Sequence, residues 1–164
     1  MNPSGTDWRP GATRFALEAR ARLLTDIRRF FTDRDVMEVE TPVISRAGNS
    51  DPNIESMTLD SDPAGYLRTS PEYPLKRLLC AGLGDIYELG RAFRRGEQGR
   101  WHNPEFTLLE WYRLDLPYLE LAKEVIELVR NCGHGQFDHW PVQQTSYRDL
   151  FLQHTGLDPW FCPG

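Results

Sequence analysis

Apolar and polar positions follow two different periods along this chain, and each change of period marks an element. Between Thr13 and Arg34, Leu17, Leu24, Ile27 and Phe31 recur at helical spacing, Leu23 and Phe30 widen the stripe, and arginines fill the other face. This predicts a long amphipathic helix packed on a sheet or on a partner subunit. In residues 36–41, Met37 and Val39 alternate with Glu38 and Glu40, the period of a strand, and Pro42 closes it because proline cannot donate to a ladder. Residues 45–53 read as a loop. Residues 54–59 and 66–69 flank the turn-forming cluster Asp60-Ser61-Asp62-Pro63-Ala64-Gly65 and predict a hairpin. Pro71 permits a helix start, with Leu75, Leu78 and Leu79 on one face. Residues 86–93 and 106–114 read as two strands joined by a charged loop, and Tyr118, Leu121, Val125 and Leu128 mark a second long helix. A short helix from Tyr147 to His154 takes Ser146 as its cap and Gly156 as its end. Residues 1–12, with Pro3, Gly5, Pro10 and Gly11, predict a flexible arm before one domain over 13–164. The order predicts an α+β fold with a largely antiparallel sheet flanked by helices.

Composition narrows this picture without changing it. Forty per cent hydrophobic and 26% charged residues fit a globular domain rather than a disordered chain. No apolar run approaches the length of a membrane span, and the N-terminus lacks a secretory pattern, so a cytoplasmic protein is expected. The three cysteines, Cys80, Cys132 and Cys162, are odd in number and widely spaced, which argues against a disulfide framework. Cys132, His134 and His139 lack a fourth ligand nearby, so no metal site is expected there. The net charge of −5 disfavours general nucleic-acid binding. Against that background Arg91, Arg94, Arg95 and Arg100 cluster within ten residues, opposed by Glu97 alone. Such a cluster suits a small anionic ligand.

The chemistry concentrates in YELGRAFRRGEQGRWHNPEFTLLEWYR, residues 87–113. Two strands around an Arg- and Gly-rich loop can hold Arg94 with its guanidinium fork on a phosphate. Gly96 and Gly99 let the loop fold over a ligand, Asn103 can donate and accept, and Phe106 offers a flat face to a purine. Phe106, Leu108, Glu110 and Tyr112 share one face of their strand. There a carboxylate and a phenol make a seat for an ammonium group. Neither G-x-G-x-x-G nor G-x-x-x-x-G-K-[ST] occurs, so ATP would need this different device.

FRRGEQGRWHNPEFTLLEWY resembles motif 2 of class II aminoacyl-tRNA synthetases in its lysyl variant. IRRFFTDRDVMEVETPVIS resembles motif 1, and RTSPEYPLKRLL resembles the turn that meets the amino acid in that branch. The LLEWYR ending, together with a motif 1-like segment that starts near the N-terminus, is most similar to the family of ligases that attach lysine or β-lysine to elongation factor P. Lysyl-tRNA synthetases carry an anticodon-binding domain before this point.

The resemblance implies ATP and a lysine-like amino acid as substrates, Mg2+ as a helper, and a homodimer through motif 1, including Pro42. It places Arg94 on the α-phosphate as the catalytic cation. Arg95, Gly96 and Asn103 would lie along the nucleotide and Phe106 under the adenine; Ser70, Pro71, Glu72 and Tyr112 would meet the amino acid. The family pattern F-R-x-E is altered here to Phe93-Arg94-Arg95-Gly96-Glu97. Either the acid stands one place late, or Gly96 leaves the adenine edge to a backbone contact. Nothing after Tyr147 resembles the acidic strands or motif 3 that complete the family's site. The expectation is therefore a domain truncated before motif 3, with the magnesium ligands in the missing part and little activity alone. Transfer to elongation factor P is the first reading, tRNA aminoacylation the second, and a non-catalytic binding or dimerisation module the third.

Overall fold

The computed structural model describes residues 9–60 and 63–161. The first element is helix α1 (Arg14–Thr32), which starts where Thr13 caps it, its side chain accepting from the amide of Ala16. Ile27, Phe30 and Phe31 at its C-terminal end are buried, whereas Leu17 and Leu23 stay exposed and Phe15 is 74% exposed. The apolar stripe thus buries only its last two turns inside this chain.

Strand β1 (Met37–Glu38) is shorter than the alternation predicts, and it runs parallel to β5 (Ile86–Phe93). The residue that anchors it is Val36, which is buried, while Met37 is exposed. Glu38 explains why the outward positions hold: it accepts from Arg28 at 3.0 Å and from the Tyr87 hydroxyl at 2.9 Å. Strand β6 (Glu105–Tyr112) pairs antiparallel with β5 through eight residue pairs, giving the order β1-β5-β6.

A second small sheet has the order β2-β4-β3, from β2 (Ile44–Ser45), β3 (Thr58–Leu59) and β4 (Gly65–Leu67). The predicted hairpin is present in shortened form. Ile44 and Ser45, the residue before and the first residue of the stretch read as loop, add a strand because they meet Leu67 and Tyr66 across the ladder. Part of the predicted turn, residues 61–62, lies outside the described residues, as does most of the predicted N-terminal arm.

Helix α2 (Glu72–Cys80) follows Pro71 as expected, and α3 (Tyr118–Gly133) crosses the back of the larger sheet next to α1. The buried face of α3 differs from the predicted stripe. Tyr118 and Val125 are exposed, whereas Glu124 is buried. Its carboxylate takes the indole N–H of Trp111 at 2.9 Å and faces the Arg113 guanidinium, so the fold tolerates an acid where the pattern calls for an apolar residue. Helix α4 (Tyr147–Thr155) begins at the Ser146 cap and ends at Gly156, φ 71°, as predicted. It buries none of its residues.

The core lies on one face of the larger sheet. Phe31 stacks on Tyr87 at 4.4 Å between ring centroids and meets Trp111 at 5.5 Å, with Ile27, Phe30, Val36 and Leu128 around them. Tyr87 and Leu89 of β5 and Leu109 and Trp111 of β6 serve this core, which leaves the alternate positions free to build a site on the opposite face. No helix among the described residues is long and apolar enough to cross a membrane.

Candidate active site

The register of β5 and β6 sets the geometry of the opposite face. Ile86, Glu88, Gly90 and Ala92 stand across from Tyr112, Glu110, Leu108 and Phe106. The two sheets join at its end, where the Phe93 amide donates to the Arg68 carbonyl at 2.9 Å. That contact brings the turn Thr69-Ser70-Pro71-Glu72 against the start of the β5–β6 loop.

Arg94 bridges the two. Its Nε donates to the Thr69 carbonyl at 3.4 Å, one Nη faces Glu97 at 3.5 Å, and the guanidinium stands over the Phe106 ring at 5.2 Å from its centroid. The side chain is held within the structure at 26% exposure rather than extended into solvent. Its neighbour Arg95 points elsewhere, pairing with Glu55 at 2.9 Å, and its amide donates to the Glu55 carbonyl. Gly96 has φ +77°, a conformation that favours glycine, with open space where a Cβ would sit. Asn103 is exposed and has no side-chain partner among the described residues.

In the turn itself, Pro71 is buried and Ser70 accepts from the Glu72 amide at 3.4 Å. Glu72 pairs with Lys76 one turn on, at 2.6 Å. Tyr112 donates its hydroxyl to Glu110 at 2.8 Å. Burial is the main cause that raises the Glu110 carboxyl above the ordinary range, and the neighbouring charges of Glu72 and Glu88 add to it; Tyr112 and Lys76 oppose it. The Tyr112 phenol is also raised, first by burial and then by its bond to Glu110. Two carboxylates, Glu72 and Glu110, thus lie near each other here, with Lys76 as the cation paired to Glu72.

The structure therefore brings Arg94, Phe106, Ser70, Pro71, Glu72 and Tyr112 together around one turn and one sheet face, while Arg95 and Asn103 stay apart from them. Glu110 belongs with the group, and its even spacing from Phe106 and Tyr112 is the signal that finds it. Beside this face, a cleft of about 740 Å³ opens between the smaller sheet and the start of α2. It shares Thr69, Ser70 and Glu72 with the site, but its walls exclude Arg94, Phe106, Glu110 and Tyr112. The chemistry gathers on the sheet face, and the turn is the common wall. Among the described residues no group of three or more His, Cys, Asp or Glu side chains is placed to hold a metal ion. His134 instead faces Asp26 of α1 at 3.1 Å, and burial raises the Cys132 thiol.

The family of class II tRNA synthetases (D, K and N) matches residues 5–148. Among curated proteins, the elongation factor P–(R)-β-lysine ligase of Histophilus somni (strain 2336) is 42% identical over 163 residues, covering 95% of this chain and 49% of that protein. The ligase of the same name from Pasteurella multocida is 44% identical over 160 residues, 93% of this chain and 48% of its own length. That from Vibrio cholerae is 42% identical over 166 residues, 95% and 49% respectively. The chain spans about half the length of these relatives. With the match extending over most of its residues, the chain belongs to the class II tRNA synthetase family of the D, K and N type.

Proposed function

We propose that this chain supplies the nucleotide grip and amino-acid seat of an ATP-dependent ligase, which activates lysine or (R)-β-lysine as an adenylate and passes it to a lysine of elongation factor P. The observation that carries the reading is the Arg94 side chain, tied to the Thr69 carbonyl and standing over Phe106, so that phosphate and amino-acid elements meet at one point. In this reading adenine lies on Phe106, and the Nη donors of Arg94 reach the α-phosphate. A carboxylate oxygen of the amino acid attacks the α-phosphorus, pyrophosphate leaves, and Arg94 offsets the charge that builds on the phosphoryl oxygens. Arg95, Gly96 and Asn103 follow the nucleotide, for which Arg95 must leave Glu55. Ser70, Pro71 and Glu72 line the amino acid, while Glu72, Glu110 and Tyr112 receive its ammonium groups.

Magnesium would offset the outer phosphates in such a reaction. The described residues offer no ligand set for it, so no step here passes through it. The acceptor follows from the names of the relatives, which favour elongation factor P over tRNA. A cytoplasmic homodimer through α1 and Pro42 completes the proposal; the exposed Phe15 and Leu17 support such an interface.

Calorimetric titration with ATP, lysine and (R)-β-lysine tests the reading. Wild-type chain is expected to bind nucleotide and amino acid, and Arg94→Ala to weaken ATP binding about tenfold or more, the usual cost of a lost charge-assisted contact. Absence of ATP binding to the wild type would defeat the nucleotide half. A second reading for these 164 residues is a binding module without turnover. Binding of both ligands with background ATP–pyrophosphate exchange is its signature.

A further inference from the structure

Behind the ammonium seat lies a buried ion pair that the reading above does not use. Glu88 is 2% exposed and stands directly opposite Glu110 in the β5–β6 register, on the same face. Two carboxylates in that relation repel each other across a few ångströms. Arg68, 7% exposed, reaches over from the end of β4 and ion-pairs with Glu88. The guanidinium is fixed on three further sides. Its Nε donates to the Arg91 carbonyl at 2.8 Å, and Nη1 donates to the Thr41 carbonyl at 3.1 Å and hydroxyl at 2.8 Å. Thr41 in turn donates to the second oxygen of Glu88 at 2.7 Å. Space for the guanidinium comes from Gly90, where a Cβ would collide with both Arg68 and Glu88. The network is thus built around one cation held at one place, next to the strand pair that carries Glu110.

We propose that Arg68 is a positioning residue for the site: it is the counter-charge that cancels Glu88 at the back of the ammonium seat, so that Glu110 stays ionised and ready for a cationic substrate. Without it, an unopposed Glu88 carboxylate would stand across from Glu110 and disfavour its charged form when the substrate arrives. The charged and titratable groups facing Glu110 are Glu72 and Lys76 from α2, Glu88 from β5 and Tyr112 from its own strand. Burial pushes its carboxyl upward first, and the charges of Glu72 and then Glu88 add to it, so a counter-charge on Glu88 bears on Glu110. The role of Glu110 as a seat rests on the proposed function; its coupling to Arg68 does not.

Titration of the Glu110 side-chain carboxyl by carbon-13 NMR in the ligand-free chain tests the coupling directly. Glu88→Gln keeps the shape of the pair and leaves the Arg68 charge unopposed, so the Glu110 midpoint is expected to fall by about 0.5 pH unit or more. The double variant Arg68→Gln/Glu88→Gln removes both charges and is expected to bring the midpoint back up from the single variant's value. Arg68→Lys/Glu88→Gln, a second variant with the same unopposed cation, should move Glu110 downward like Glu88→Gln. A structural role alone would give no such opposed movements. Equal Glu110 midpoints with and without the Arg68 charge would overturn the proposal. Lysine binding measured across pH on the same proteins separates the two ideas. Coupled midpoints without any lysine binding sink the proposed seat and leave the Arg68 coupling intact.

Discussion

Glu110 is the residue at which the proposed function and stability pull in opposite directions. Its carboxyl is raised by burial, so the folded chain holds the proton more tightly than the unfolded chain does. The stability tied to that proton is fully present below the unfolded value and is lost as pH rises through the folded one. Glu110→Gln keeps an acceptor for the Tyr112 hydroxyl but carries no charge to desolvate. At neutral pH this variant is expected to melt at a higher temperature than wild type, with the gap closing once the pH drops below the ordinary carboxylate range. In the same protein, lysine affinity is expected to fall at least about tenfold, the scale of a charge-assisted contact. Thermal melts and calorimetry across pH check both halves. A lower melting temperature at neutral pH would show that the carboxylate serves the fold rather than the ligand.

At the scale of elements, β5 and β6 are the working unit, because their alternation divides core from site. Gly90 shows how little slack that face has. Gly90→Ala is expected to destabilise the chain by about 1–3 kcal/mol, the usual range for overpacking, visible as a lower urea midpoint at unchanged slope. Helix α4 is the contrasting case. It is capped by Ser146, whose Oγ accepts from the Asp149 amide at 3.0 Å, yet it buries none of its residues. Loss of the cap by Ser146→Ala costs about 1 kcal/mol locally. Faster hydrogen exchange within residues 147–155, with the global unfolding midpoint unchanged, is the expected result. A shift of the global midpoint would mean that α4 is coupled to the core after all.

For the whole molecule, the uneven burial of α1 matters most. Its C-terminal turns hold the core, while Phe15, Leu17 and Leu23 face outward on the other end. Exposed apolar side chains on this helix are what the proposed homodimer would cover. If α1 forms the proposed homodimer, Phe15→Glu/Leu17→Glu should shift sedimentation from dimer to monomer and leave the far-UV spectrum unchanged. A wild-type chain that sediments as a monomer at high concentration would remove the dimer from the proposal. The outer edge of β6 has no ladder partner among the described residues, since β6 ends the order β1-β5-β6. Such an edge is a second place where another chain or segment can add.

Local pattern alone determined the helices, the cap at Ser146, the stop at Gly156 and the strand pair that carries the site, because these depend on side chains a few positions apart. The motif residues from Ser70 to Tyr112 were legible for the same reason, together with their family resemblance. What the pattern could not express was pairing at long range. Only the fold decided that β1 runs parallel to β5, that Ile44 and Ser45 complete a sheet, and that Glu124 is a core residue satisfied by Trp111 and Arg113. The same holds for Arg68, which reads in sequence as one more basic residue. Its partners Thr41, Glu88 and Arg91 are 20 to 27 positions away in the chain. A buried charge is stable only where its counter-charge and acceptors converge, and that convergence is a property of the folded chain.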